Sequence, residues 1–347
     1  MIPDWQQFLS ARDANLRDGR VADFGDAAAE LHMAQHGTVL CDLSHFGVIE
    51  FAGDDAQTFL HNQLTSDVKK VQTGTSQYSG YCTPKGRLLA SLLLWRGTQP
   101  SCFAQLPQEL LPAIIKRLSM YILRSKVKAA DASAASVRMG LAGVQAQALL
   151  AAAFGTAPDQ PHAVLHHTQA SVLALPGGRY EIVAVPEYAA ALWSALSKAA
   201  RPAGAACWDW LEIRAGIATI VPATQEHFVP QMANLDATGA VAFNKGCYPG
   251  QEIVARTQYL GKVKRRLYLA HLDVKADAAP QAGDELYSAD MEGQASGMVA
   301  SAAPAPDGGY DVLAVIQVSS AETQPVHWRS LDGPALQLLA LPYSLSH

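Results

Sequence analysis

The sequence predicts an α+β protein with a separate all-β end. Three observations carry this. Strand-like and helix-like segments alternate as far as about residue 265. Beyond it, short apolar strands alternate with Pro- and Gly-rich turns, the pattern of a small β-barrel domain. The chain has 347 residues, 49% of them hydrophobic, too many for one ordinary core and enough to fill two or three. The expected organisation is a region 1–265, made of units of about 1–130 and 131–265, followed by a domain 266–347.

Taken in order, residues 4–19 predict a polar amphipathic helix, 39–43 a short strand or turn, and 46–51 an alternating strand. Gly53-Asp54-Asp55 is a turn and N-cap that opens a helix over 56–64. Strands over 75–82 and 88–95 flank Thr83-Pro84-Lys85-Gly86-Arg87, a hairpin signal. A strand over 101–105 precedes a helix from Pro107 to Tyr121, whose Leu110, Leu111, Ile114, Ile115 and Leu118 share a face. Residues 126–130 read as a strand and 129–135 as an alanine-rich connection. A second unit follows, with strands over 137–142, 171–174 and 180–185 and helices over 144–154, 186–199 and 208–215, the last closed by Gly216. In the tail, 267–272, 297–301 and 310–318 read as strands.

Net charge is −5, so the whole protein is not built to coat a polyanion. Charge is unevenly spread: residues 245–266 carry six basic side chains and one acid, Glu252, leaving −10 on the rest. A local basic patch on an acidic chain suits a small anionic ligand; the plainer alternative is a solvated edge guarded by lysine and arginine. The five cysteines, at 41, 82, 102, 207 and 247, are odd in number and at least 20 residues apart, so no disulfide framework or metal-binding spacing is expected. The first residues lack a basic and apolar leader, and no apolar run reaches the ~20 residues of a membrane span, so a cytoplasmic protein without a membrane segment is expected.

The chemistry concentrates in residues 241–266. Cys247 stands between Gly246 and a Tyr248-Pro249-Gly250 turn, ahead of a helical stretch over 251–258. A lone cysteine is more often buried and inert. Here a helix start, Lys245 two residues before and a glycine-rich turn all favour a reactive, exposed thiol. His227 is a possible base for it, although sequence cannot place the two together.

Lys245-Gly246-Cys247-Tyr248-Pro249-Gly250-Gln251-Glu252 resembles the Lys-Gly-Cys-aromatic-x-Gly-Gln-Glu signature of the YgfZ family, folate-binding proteins related to the T-protein (aminomethyltransferase) of the glycine cleavage system. Supporting matches are Phe59-Leu60, Gln63-Leu64-Thr65-Ser66-Asp67-Val68, residues 211–217, Phe228-Val229-Pro230-Gln231 with Asn234-Leu235, and Leu341-Pro342-Tyr343-Ser344-Leu345. The resemblance implies a T-protein-like fold: two interlocked α/β units and a C-terminal β-barrel around a central folate channel. It implies tetrahydrofolate as cofactor, iron–sulfur client enzymes as partners, and an indirect link to tRNA modification. Cys247 and Lys245 would form the redox or transfer motif. Trp208 and Phe46 match aromatic folate-pocket positions, and some relatives carry tryptophan at the latter. Arg214 on the same helix as Trp208, with the hairpin cations Lys85 and Arg87, completes the candidate folate-binding set.

One departure matters. The T-protein places a catalytic aspartate after a Gly-Gly turn, whereas this chain reads Lys85-Gly86-Arg87-Leu88-Leu89-Ala90-Ser91. No carboxylate is present there, and leucine or alanine can neither act as a general base nor balance a cationic amine, so aminomethyl transfer is not expected. The reading is therefore a folate-binding accessory protein for iron–sulfur cluster assembly or repair. Its rivals are a true one-carbon transferase and a tRNA-binding module using Lys262, Lys264, Arg265 and Arg266.

Overall fold

The computed structural model describes residues 1–259 and 261–345. Leu260 in the basic segment and the last two residues of the expected 266–347 domain lie outside them.

The first helix is shorter than expected. Helix α1 (Pro3–Ser10) turns Trp5 and Leu9 inward and then stops. Asp18 and Gly19 both take positive φ, 51° and 75°. They form a tight turn that pairs β1 (Asn15–Arg17) with β2 (Arg20–Asp23). Asp-Gly is among the strongest short hairpin signals, and it overrides the weak helical pattern around it. Helix α2 (Ala27–His36) was not expected either. It is alanine-rich with little periodicity, and Asp26 starts it by accepting the Ala29 N–H at 3.0 Å.

The next elements follow the expected order: β3 (Thr38–Asp42), β4 (Phe46–Ala52), α3 (Ala56–Gln63), β5 (Ser76–Cys82), β6 (Leu88–Arg96), β7 (Ser101–Pro107), α4 (Leu111–Ser119) and β8 (Lys128–Asp131). Then come β9 (Val137–Gly143), α5 (Ala146–Phe154), β10 (Val164–His166), β11 (Ala170–Leu175), β12 (Arg179–Ala184), α6 (Pro186–Leu196), β13 (Arg201–Ala203), α7 (Ala205–Arg214) and α8 (Gln251–Tyr259). The tail holds β14 (Arg265–Leu272), β15 (Glu285–Tyr287), β16 (Ala295–Pro304), β17 (Tyr310–Gln317), α9 (Val318–Thr323), β18 (His327–Trp328) and β19 (Gln337–Leu339). Strands of two or three residues, such as β10, β13 and β18, carry too little periodicity to read from sequence.

Contacts divide the chain into two compact units built from interleaved segments. The first takes 1–56, 71–77 and 93–211; the second takes 57–70, 78–92 and 212–347. In the first, a six-stranded sheet runs β10-β11-β12-β9-β3-β13, antiparallel except where β13 joins β3. Its core gathers Trp5, Leu40, Met139, Leu141, Ile182 and Trp193, all nearly inaccessible. The buried Trp5 indole does not waste its N–H, which donates to Asp42 Oδ1 at 2.7 Å. In the same unit, β4 pairs antiparallel with β7 and β8.

In the second unit the tail forms a six-stranded antiparallel half-barrel in the order β18-β15-β16-β17-β14-β19. Leu272, Leu286, Val299, Val312, Ile316 and Trp328 fill it. Fragments quoted above for their resemblance meet here. Asn234 donates to the Leu267 carbonyl at 2.9 Å, and the Tyr343 hydroxyl donates to the Gly216 carbonyl at 2.8 Å. These motif residues tie the segment after α7 and the C-terminal stretch to the half-barrel. Among the described residues, no helix is long and apolar enough to cross a membrane, and no cluster of His, Cys, Asp or Glu has metal-binding geometry.

Candidate functional site

The Cys247 turn is assembled on the segment 61–68, far away in sequence and close in the fold. Thr65 organises the meeting. Its hydroxyl donates to the Ala240 carbonyl at 2.6 Å, accepts the Gly80 N–H at 2.8 Å, and its carbonyl accepts the Ala242 N–H at 2.9 Å. Ser66 adds a hydroxyl contact to Ser79 at 2.7 Å. One buried threonine thus joins β5, the end of α3 and the chain leading to Cys247.

Lys245 is the second tie. Its ammonium donates to the carbonyls of His61, Leu64 (2.6 Å) and Ser66 (2.9 Å) and lies 5.0 Å from the Tyr248 ring centroid. The last carbonyls of a helix have no partner within it, and a cation is favoured there. Lys245 supplies that cation to α3 from 184 residues away. The lysine is therefore a clasp as well as a neighbour of the thiol, which its sequence position did not reveal.

Burial pushes the Lys245 pKa down from its ordinary 10.5 to about 8, with Asp67 opposing and Lys69 reinforcing. The sign follows directly. Between about pH 8 and 10.5 the unfolded chain holds a proton that the folded chain has lost, so the stability drawn from this residue rises with pH. Urea denaturation should show wild type gaining stability relative to Lys245→Met from pH 7.5 to 9.5. A flat or falling difference would mean that the three carbonyls hold the ammonium charged against the cost of burial.

Beyond Lys245 the chain reverses tightly. Gly250 has φ +82° and Gly86, at the tip of the β5–β6 hairpin, has φ +70°. A Cβ on Gly250 would lie 2.5 Å from the Thr83 oxygen and 2.6 Å from Gly86 Cα. Two backbones meet where only glycine fits. Helix α8 starts at Gln251, where the helical stretch was expected, and the buried Gln231 amide donates to its Val254 carbonyl at 2.7 Å. Tyr248 is buried, whereas Cys247 is exposed. Next to it is a residue that sequence reasoning passed over. A Cβ on Gly246 would meet His61 Nε2 at 3.7 Å. His227 takes another place: its carbonyl accepts from Arg87 at 2.7 Å.

The other candidates fall in different surroundings. Lys85 is exposed at the hairpin tip. Arg214 sits 3.5 Å from Asp311, which also holds His271 at 2.9 Å, so this guanidinium is already partnered. The basic run is thinner than its sequence: Arg266 is locked onto both oxygens of Asp236, at 2.7 and 2.9 Å, leaving Lys262 and Lys264 as its exposed cations.

In the first unit, Trp208 is 1% exposed. Gly140 closes on it so tightly that a Cβ there would lie 2.5 Å from Cζ3, and the Arg179 guanidinium is 5.3 Å from the ring centroid. In this structure the indole is packed among protein groups and presents almost no surface. Sequence periodicity assigns a residue to a face but does not reveal a glycine strand packed against it. Phe46 is also buried, with the His45 ring 4.4 Å away. Both His45 ring nitrogens are buried without a hydrogen-bond partner. Burial, with the charges of Arg20 and Arg138, pushes the His45 pKa well down and keeps the ring neutral. Asp209 Oδ1 lies 3.8 Å from His45, and Oδ2 accepts from Arg20 at 2.6 Å. Its carboxylate is still 28% exposed, although burial raises its pKa.

Comparison with known proteins fixes the family. The GCVT N-terminal domain model matches residues 6–245. The tRNA-modifying protein YgfZ of Sodalis glossinidius is 33% identical over 310 residues, 88% of this chain and 93% of that protein. The chain belongs to the YgfZ family. YgfZ of Pectobacterium carotovorum agrees, at 32% identity over 91% of this chain and 95% of its own. The YgfZ fold here is also that of the crystallised glycine cleavage system aminomethyltransferase T from Bartonella henselae, with a TM-score of 0.81 at 20% identity, over 99% of this chain and 97% of that one. The expected T-protein-like architecture is thereby met.

Proposed function

We propose that this YgfZ-family chain is a folate-binding accessory protein that supports assembly or repair of iron–sulfur enzymes and, through them, tRNA modification. The observation that carries the proposal is the Cys247 turn: an exposed thiol on a backbone held by Lys245, Thr65 and the Gly86–Gly250 contact. A thiol needed only for packing would be buried, as the other four are. The relatives' name as tRNA-modifying proteins supports the downstream process.

The residues around His45 fit a pterin in their chemistry. An aminated heteroaromatic ring carries N–H donors and ring acceptors. Asp209 supplies a partly exposed carboxylate, and His45 two orphaned nitrogens beside the Phe46 ring. In this reading Asp209 binds the amino edge and Phe46 and Trp208 back the site. When bound, tetrahydrofolate supplies a one-carbon carrier and a readily oxidised ring.

The test has two arms. Tetrahydrofolate should quench tryptophan emission in a saturable way, and Asp209→Asn should weaken that binding by about 1–3 kcal/mol, the scale for losing a charged hydrogen-bond partner. In cells lacking the native protein, Cys247→Ser should fold and bind folate yet fail to restore iron–sulfur enzyme activity. No saturable quenching, or full rescue by the serine variant, would remove the corresponding half of the proposal.

A further expectation separates this reading from the one-carbon transferase. Leu88, Leu89 and Ala90 are buried where the T-protein resemblance calls for a carboxylate. Supplied with an aminomethyl donor and tetrahydrofolate, the protein should make no methylene-folate above a protein-free control. Clear turnover would reverse the ranking.

A further inference from the structure

We propose that His61 is the proton-accepting partner of Cys247, held in register by Asp67. This rests on the reading of Cys247 as the working thiol and adds a residue and a proton path to it. Four observations carry it. His61 is 6% exposed, and its Nε2 is the atom that meets the Gly246 position, 3.7 Å from where a Cβ would be, one residue short of Cys247. No hydrogen bond to that nitrogen is seen among the described residues, so a largely buried imidazole turns its Nε2 edge to the thiol's segment. The other ring nitrogen lies 3.1 Å from Asp67 Oδ1, an ion-pair approach without hydrogen-bond alignment, and a carboxylate at that distance favours the tautomer that carries its proton on Nδ1 and its lone pair on Nε2. Finally, the His61 carbonyl accepts from Lys245, so the residue that carries the imidazole is clasped to the one two positions before the cysteine.

The electrostatics agree. The charged groups acting on His61 are Asp67, Lys245 and Lys69. Burial, then Lys245, push its pKa down, while Asp67 opposes. The ring is thus neutral near pH 7, the form able to take a proton. A Cys–His pair with an orienting carboxylate is a recurrent way to make a thiol nucleophilic at neutral pH. The balanced step with a soft electrophile such as iodoacetamide is simple. The Sγ proton passes to Nε2, Sγ bonds to the methylene carbon, iodide leaves, and the imidazolium returns its proton to water. His61 escapes a reading of the motif alone because it lies on α3, 186 residues from Cys247.

The test is the alkylation rate of Cys247 against pH, read from its peptide by mass spectrometry. At pH 6.5, His61→Gln should react about tenfold slower than wild type, a modest share of what a positioned base contributes. The two rates should converge by pH 9.5, where the thiol ionises unaided. Asp67→Asn should fall between them. Equal rates at every pH overturn the proposal. So does a constant deficit at every pH, which would mark a merely structural effect. Should the variants fail to fold, a wild-type profile that follows a single ordinary thiol titration overturns it alone. The outcome is separable from the functional proposal: full rescue by Cys247→Ser would end the accessory-protein role of the thiol without changing this profile.

Discussion

Treated with iodoacetamide under native conditions, the protein is expected to carry its first label at Cys247, at least about a hundredfold faster than at any other cysteine. Two factors multiply. The first is access. Cys41, Cys82, Cys102 and Cys207 are 0–4% exposed, while Cys247 is exposed. A buried thiol reacts only during local opening, and ~3 kcal/mol of opening free energy already costs more than a hundredfold. The second is ionisation, since the thiolate is the nucleophile. Burial raises the pKa of all four buried thiols: Cys207 to about 12, Cys82 higher still, Cys41 well above its ordinary value and Cys102 in the same direction. Cys102 lies closest to reaction, because Arg96 partly offsets its burial. Quantifying all five peptides over time decides the matter. Prompt labelling of any buried thiol, or a slow Cys247, would mean that the turn is not open in solution and would remove the basis for a working cysteine.

What the sequence revealed and what it hid follow from how far each signal reaches. The 83–87 hairpin was legible because Pro84 and Gly86 fix the local backbone, and the half-barrel strands because alternation is a short-range property. The Cys247 turn was legible for the same reason. Its frame was not. Lys245 acts on carbonyls of residues 61–66, and no local pattern announces that a lysine will end a distant helix. Trp208 shows the same limit from the other side: its type and spacing suit a ligand-binding aromatic, and only the fold shows that Gly140 packs against its ring. Arg214 and Arg266 were read as free charge, yet Asp311 and Asp236 claim them. Charge counted along the chain overstates charge offered to a ligand.

The largest effect on stability is expected from Gly250→Ala. Two costs add. Holding a residue with a Cβ at φ +82° costs roughly 1–2 kcal/mol. The methyl group must also displace backbone, since its three nearest neighbours are the Thr83 oxygen at 2.5 Å and Gly86 Cα and N at 2.6 and 2.7 Å. No flexible side chain is available to yield. A total of about 3 kcal/mol or more is a large share of the ~5–15 kcal/mol that keeps a domain folded. Thermal melting should fall by about 5 °C or more. Gly155→Ala provides the control. Gly155 has φ +78° and nothing within 4 Å of its Cβ position, so it pays the dihedral cost without the clash and should lose only about 1 kcal/mol. If the two variants melt together, the Gly86–Gly250 approach carries no special weight. If Gly250→Ala alone drops and its Cys247 loses the alkylation lead described above, the hairpin tip is what holds the thiol's turn in shape. The glycine of the motif would then serve the cysteine through the backbone, by keeping the tip of one hairpin close enough to start the next helix.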